Sequence, residues 1–116
     1  MIDSARQPDG LIQVLLNSKA QFGDRDDAAA DLATFDDEAA ENALARIASD
    51  PTSDEDLADT CGQSLAQIWC RRNRLSNEIL RSLVPVSLQI AIATLRACSP
   101  ALAAEAEKVT QASSAD

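Results

Sequence analysis

The fold is decided by the stretch Arg25-Asp26-Asp27-Ala28-Ala29-Ala30-Asp31-Leu32, because its pattern of small and apolar residues returns once along the chain. The repeat has a constant offset of 33 residues, at which Ala28, Leu32 and Phe35 correspond to Cys61, Leu65 and Ile68. On the segments that follow, the offset is 36, with Leu44 and Ile47 corresponding to Leu80 and Leu83. Such a period is typical of stacked helical hairpins, each too small to bury its apolar face alone.

We therefore predict an all-α fold, an α-α superhelix of two to three helical hairpins with about six to seven helices. At 116 residues the chain suits one domain, which we place at residues 1–109, with a frayed tail over residues 110–116. Apolar residues make up 46% of the chain but aromatic residues only 3%, which favours helix over sheet. One core is expected to contain Ala28, Leu32, Leu44, Ile47, Leu65 and Leu83.

Helix starts are indicated by capping residues and by prolines in a first turn. They are predicted at Asp9, Asp24, the pair Asp36-Asp37, Ser53, Ser76, Pro85 and Pro100. The sixth helix is apolar around most of its circumference, with Ile90 and Ile92 pointing in nearly opposite directions. It is either a central helix or an oligomer surface, and we favour burial within the monomer. A monomer or a weak dimer is expected.

The chain lacks the residues that most catalytic sites require. It contains no histidine and no tyrosine, and its three glycines stand apart, so no phosphate-binding glycine loop is present. The acidic stretches lack the spacing of a calcium loop. The three cysteines lack the spacing of a metal site, and Cys61 is predicted to be a buried free thiol. Cys70 precedes Arg71 and Arg72, which would lower its pKa if it were exposed. We expect no catalytic residue, no metal and no cofactor.

The distribution of charge is strongly asymmetric. Residues 20–60 contain thirteen acidic residues and two arginines, a net charge of −11, whereas residues 61–100 contain one glutamate and five arginines, a net charge of +4. The acidic residues are either a solvated face or a docking surface for a basic protein, and phosphate repulsion disfavours nucleic acid as the partner. The candidate partner-binding residues are Asp26, Asp27, Asp31, Glu38, Glu41, Glu55, Asp56, Asp59 and Trp69.

A basic patch at Arg71, Arg72 and Arg74 lies beside Trp69 in the sequence. These residues could contact RNA or an acidic partner, or they could complement the carbonyl groups at a helix C-terminus. Trp69 lies at the edge of the apolar stripe of its helix, so it is either a core residue or a binding hot spot. No apolar run approaches the roughly 18 residues of a membrane span. The N-terminus carries no export signal, so a cytoplasmic protein without membrane contact is expected.

The pattern Arg-x-x-Ala-Ala-x-x-Leu at residues 25–32 resembles the first helix of a HEAT-type repeat, in particular the alanine-rich bacterial kind named after phycobilin lyases. The resemblance covers about residues 22–84. In the second copy Ala58 replaces the arginine, and Cys61-Gly62 replace the alanine pair. Small residues are thus kept, but an arginine contact is not. Lyase activity is not implied, because no residue marks a bilin site.

Two acidic segments, residues 22–27 and residues 54–65, are also similar to small HEAT-like proteins encoded beside bacterial polymorphic toxins. This resemblance implies an immunity protein that neutralises a cationic toxin, a nuclease for example, by covering its substrate groove with carboxylates that mimic phosphate. The alternative is a general HEAT-like adaptor or a self-associating scaffold. An adjacent toxin gene would favour the immunity protein. A concentration-dependent dimer without a tight partner would favour the adaptor or scaffold.

Overall fold

The computed structural model describes residues 7–114, which form seven α-helices and no strand. The predicted all-α class and the number of helices are thereby confirmed. Residues 1–6 of the predicted domain and residues 115–116 of the predicted tail lie outside the described residues. The helices are α1 (Asp9–Leu16), α2 (Phe22–Leu32), α3 (Glu38–Ala48), α4 (Glu55–Arg72), α5 (Asn77–Ser82), α6 (Pro85–Cys98) and α7 (Pro100–Ser114).

Helices α2 and α4 lie side by side and run in the same direction. Hydrogen bonds join Thr60 to Asp26 and Ser64 to the carbonyl of Ala29, so residue numbers rise together along both helices. The separations of 34 and 35 residues are close to the offset of 33 that the sequence repeat predicts. The two copies of the repeat therefore form neighbouring, parallel helices.

Helix α6 packs against the other side of α4, again in parallel. The Ser87 hydroxyl donates to the carbonyl oxygen of Ala58, and a disulfide joins Cys70 to Cys98 at the far end. One turn further along α4 from Ala58, Gly62 also lies directly against the backbone of Ser87. Three other helices pack on the parallel helices α2, α4 and α6: α1 packs on α2, α3 on α4 and α7 on α6.

One continuous core fills the space between the helices. Its largest fully buried side chains include Trp69 and the leucines of α2, α3 and α4. All six predicted core residues are buried in this cluster, which confirms the prediction: Ala28, Leu32, Leu44, Ile47, Leu65 and Leu83. On α6, Ile90 and Ile92 are half-buried, and Ile92 packs against the same core. A single chain therefore covers both isoleucines in part.

Several helix starts differ from those predicted. Asp54 rather than Ser53 caps α4, because its carboxylate accepts the N–H groups of Asp56 and Leu57 while the Ser53 hydroxyl donates to the carbonyl of Ile47. Helix α2 begins at Phe22, before Asp24, and α1 includes Asp9 as its first residue. The caps at Asp37 and Ser76 and the proline start at Pro85 are as predicted, and residues 110–114 of the predicted tail continue α7.

Within residues 7–114, no helix is both long enough and apolar enough to cross a membrane.

Candidate functional site

Six of the predicted partner-binding residues lie on α2 and α4, and we call them the acidic face. The hydrogen bond between Thr60 Oγ1 and Asp26 Oδ1, at 2.5 Å, brings the two helices together at this face. Four of the six side chains are exposed, and Asp26 and Asp59 are half-buried. The acidic face consists of Asp26, Asp27, Asp31, Glu55, Asp56 and Asp59.

No carboxylate of the acidic face forms an ion pair within the described part of the chain. The ion pairs found there involve Asp36, Glu41 and Glu107, none of which belongs to the face. The nearest arginine in sequence, Arg25, donates through Nε to the carbonyl oxygen of Leu15 at 2.9 Å and so serves the end of α1. Carboxylates concentrated in this way on neighbouring helices produce a negative potential that attracts cationic partners.

Trp69 is not part of a binding surface, which corrects its place among the candidate residues. The side chain is fully buried. Its Nε1–H donates to Glu41 Oε2 at 2.7 Å, and Arg72 Nη1 donates to Glu41 Oε1 at 3.2 Å. Glu41 is itself only 8% exposed, so this carboxylate serves the interior rather than a partner. The interpretation of Trp69 as a core residue is confirmed.

Glu38 is separated from the acidic face. It lines a cleft of about 890 Å³ between the start of α3, the end of α4 and α5. The cleft also contains Arg72, Arg74 and Glu78. Both signs of charge are therefore present, and the cleft does not select a partner by charge alone. Glu38 and Glu41 thus belong to this mixed-charge region.

Much of the predicted basic patch is engaged within the fold. Arg71 donates to the carbonyl oxygens of Ala33 and Phe35 and forms an ion pair with Asp36. It therefore satisfies carbonyl groups that the end of α2 leaves free. Since Arg72 is bound to Glu41, only Arg74 of the three arginines has no ion pair within residues 7–114. The helix-terminus interpretation of the patch fits these contacts.

A groove of about 330 Å³ separates α1 from α2. Apolar side chains contribute to its lining, and three aspartates of α2 line it at spacings of three and four residues, which places them on one side of the helix. Val14 on α1 is 36% exposed and is one of two large apolar side chains classed as exposed in the described chain. The lining includes Leu11, Val14, Ala20, Asp24, Asp27, Ala28 and Asp31. Asp24 was absent from the predicted set, although its spacing from Asp27 and Asp31 could have indicated it.

The cysteines offer no reactive or metal-binding group in the described residues. Cys61 is a buried free thiol, as predicted, whereas Cys70 is bonded to Cys98. Burial raises the pKa of the Cys61 thiol to about 12, and the negative charge of Asp26 acts in the same direction. No group of histidine, cysteine, aspartate or glutamate side chains between residues 7 and 114 is arranged to hold a metal ion.

We expect Cys61 to resist thiol reagents in the folded protein. With a pKa of about 12, its thiolate fraction at pH 8 is about a thousandfold below that of an exposed cysteine. Titration with a thiol-reactive dye under non-reducing conditions should therefore label almost no thiol in the native state. One thiol per chain should be labelled in denaturant, because the other two of the three cysteines are bonded. Rapid native labelling, or three thiols in denaturant, would contradict the structure.

The geometry defines a helical protein with parallel α2, α4 and α6, in which the acidic face forms no ion pair with any residue of the range 7–114. Comparison with protein-family models, with curated proteins and with solved structures found no match to this chain. A functional assignment therefore rests on the fold, the charges and the contacts described above.

Proposed function

We propose that this protein is a non-catalytic binding module whose acidic face binds a basic partner protein. The observation that carries the proposal is the set of six carboxylates on two adjacent parallel helices, none of them in an ion pair within the described residues. Structural roles account for three acidic residues outside the face: Asp37 and Asp54 cap helices, and Glu41 binds Trp69 and Arg72.

A concentrated negative field serves association in two ways. It attracts a cationic protein during diffusion, so it raises the association rate, and it repels partners of the same sign. The face lies on the side-by-side helices α2 and α4, which are joined by hydrogen bonds from Thr60 and Ser64. Carboxylates held on packed helices lose little freedom on binding, and this limits the entropic cost of association.

The partner that fits best is a cationic toxin, for example a nuclease, for which this protein would be the immunity protein. A nuclease binds phosphates in a basic groove, and carboxylates on a rigid surface can occupy the same positions. The resemblance of residues 22–27 and 54–65 to proteins encoded beside polymorphic toxins supports this choice. We place the complex in the cytoplasm. The reducing conditions there would open the bond between Cys70 and Cys98, so the complex would form with both thiols reduced.

Charge reversal on α4 tests the proposal. Replacing Glu55, Asp56 and Asp59 together with lysine should weaken binding of the basic partner by about a hundredfold or more at low salt, chiefly through a slower association rate. The partner would be captured from a host lysate and then titrated in purified form at two salt concentrations. The matched control replaces Asp9, Glu78 and Glu105, which are exposed and lie outside the acidic face, with lysine.

Both variants change the net charge equally, so a general charge effect would alter them alike. Unchanged affinity of the α4 variant, or equal weakening of both variants, would contradict the proposal. The immunity role is tested by coexpression with a toxin gene that lies beside the gene of this protein. The wild type and the control variant should protect growth, and the α4 variant should not. A concentration-dependent dimer without a tight basic partner would instead favour the self-associating scaffold.

A further inference from the structure

The groove between α1 and α2 combines two features that point to one kind of ligand. Half of its lining residues are apolar, and they include Val14, whose side chain is exposed. Asp24, Asp27 and Asp31 are exposed and form no ion pair with any residue in the range 7–114. Apolar lining residues beside carboxylates without an ion pair complement a segment with apolar side chains on one face and cationic side chains at its flank.

The spacing of the aspartates also matches a helical ligand. Residues 24, 27 and 31 lie on one side of α2 and extend over about 10 Å, or two turns. Lysines or arginines at the same spacing on a partner helix would meet all three carboxylates. With a volume of about 330 Å³, the groove has room for only a few apolar side chains. The ligand is therefore a short segment rather than a whole domain.

We infer that the α1–α2 groove binds a basic amphipathic helix of the partner protein, with its apolar side chains against Val14 and its cationic side chains on Asp24, Asp27 and Asp31. The inference rests on the proposed function and adds the partner's recognition element to it. The carboxylates of α4 would then steer the partner, whereas the groove would hold it. Apolar contacts in the groove make this second step less sensitive to salt than the first.

A pair of synthetic peptides tests the groove directly. The first is a short helix-forming peptide of leucine, lysine and alanine, with leucines along one face and lysines at its flank. The second has the same composition in an order that spreads the leucines around the helix. Fluorescence anisotropy should show about tenfold tighter binding of the first peptide, since only its leucines can reach the apolar lining of the groove together. Amide chemical shifts should change at Leu11, Val14 and Ala28.

Variants of the protein separate the groove from general charge attraction. Val14→Asn should weaken the amphipathic peptide about tenfold, whereas Phe22→Asn should not, because Phe22 is 47% exposed and does not line the groove. Neutralising Asp24, Asp27 and Asp31 with asparagine should weaken the peptide more than neutralising Asp9, Glu78 and Glu105. Thermal melting of each variant identifies any that fails to fold. If Val14→Asn fails to fold, the comparison of the two peptides and the asparagine variant at Asp24, Asp27 and Asp31 still test the inference.

Equal binding of the two peptides, or no effect of Val14→Asn in a folded protein, would overturn the inference. So would loss of self-association in that variant, because the groove would then belong to a second copy of the chain. The natural partner distinguishes the two proposals. If the α4 lysine variant weakens the binding of this partner and Val14→Asn does not, the groove is excluded and the acidic face stands. If only the groove variants weaken it, the steering role of α4 is wrong.

Discussion

Replacing Gly62 with valine is expected to lower the free energy of unfolding by about 4 kcal/mol or more. A Cβ atom at this position would lie 2.5 Å from the backbone carbonyl oxygen of Ser87 and 2.8 Å from Cγ2 of Ile90. The carbonyl cannot move by a change of rotamer. Helices α4 and α6 must therefore separate, and the adjoining core contacts are lost with the shift.

Gly62→Ala should show a smaller loss of about 2–3 kcal/mol, because the better helix propensity of alanine offsets about 1 kcal/mol of the collision. Gly23→Ala is the matched control, since Gly23 also lies in a helix but has nothing within 4 Å of its Cβ position. This control should stabilise the protein by up to about 1 kcal/mol. Urea denaturation measures all three variants, and equal effects of alanine at the two glycines would contradict the close approach of α4 and α6.

Replacing Glu41 with alanine is expected to lower the free energy of unfolding by about 3 kcal/mol. The substitution removes the acceptor of the buried Trp69 indole N–H and the ionic partner of Arg72. An unpaired buried donor costs more than the hydrogen bond itself contributes. Because the Arg72 side chain is 28% exposed, water can recover part of its hydration, so the loss stays below that of a fully buried ion pair.

Glu41→Gln should cost only about 1 kcal/mol, since an amide oxygen can still accept from the indole. A double-mutant cycle of Glu41→Ala with Trp69→Phe isolates this contact, because each substitution removes one of the two partners. The cycle is followed by chemical denaturation with far-ultraviolet circular dichroism, because the chain's single tryptophan is itself replaced. A loss after Glu41→Ala no greater than after Glu38→Ala, at an exposed position on the same helix, would show that the buried network contributes nothing to stability.

The start of α4 shows where local sequence signals are accurate and where they are not. A serine followed by acidic residues predicts a helix start, and a helix does begin there. The capping residue is nevertheless Asp54, because the Ser53 hydroxyl is taken by the carbonyl of Ile47 at the end of α3. The end of α3 therefore competes with the start of α4 for the Ser53 side chain, and Asp54 becomes the cap of α4. No local pattern contains that information.

For Trp69 and Arg71 the structure decides between alternatives that the sequence leaves open, and the physical reason is the same for both. Sequence spacing leaves Trp69 at the edge of an apolar stripe, where burial and exposure are both plausible. Burial of Trp69 is stabilised by the buried carboxylate of Glu41, 28 residues earlier in the chain, because this carboxylate accepts a hydrogen bond from the indole N–H. Arg71 could contact a partner or complement a helix C-terminus, and its guanidinium does the latter, because it donates to the carbonyl oxygens of Ala33 and Phe35 at the end of α2.

The sequence by itself determined the helical class, the offset that places α2 beside α4, and the six core residues that share one cluster. These follow from periodicity and propensity, which depend on residues within a few turns of one another. Tertiary structure decided which carboxylates remain free, the bond between Cys70 and Cys98, and the groove between α1 and α2. Each of these depends on side chains that only the packing of separate helices brings together, so no local pattern can specify it.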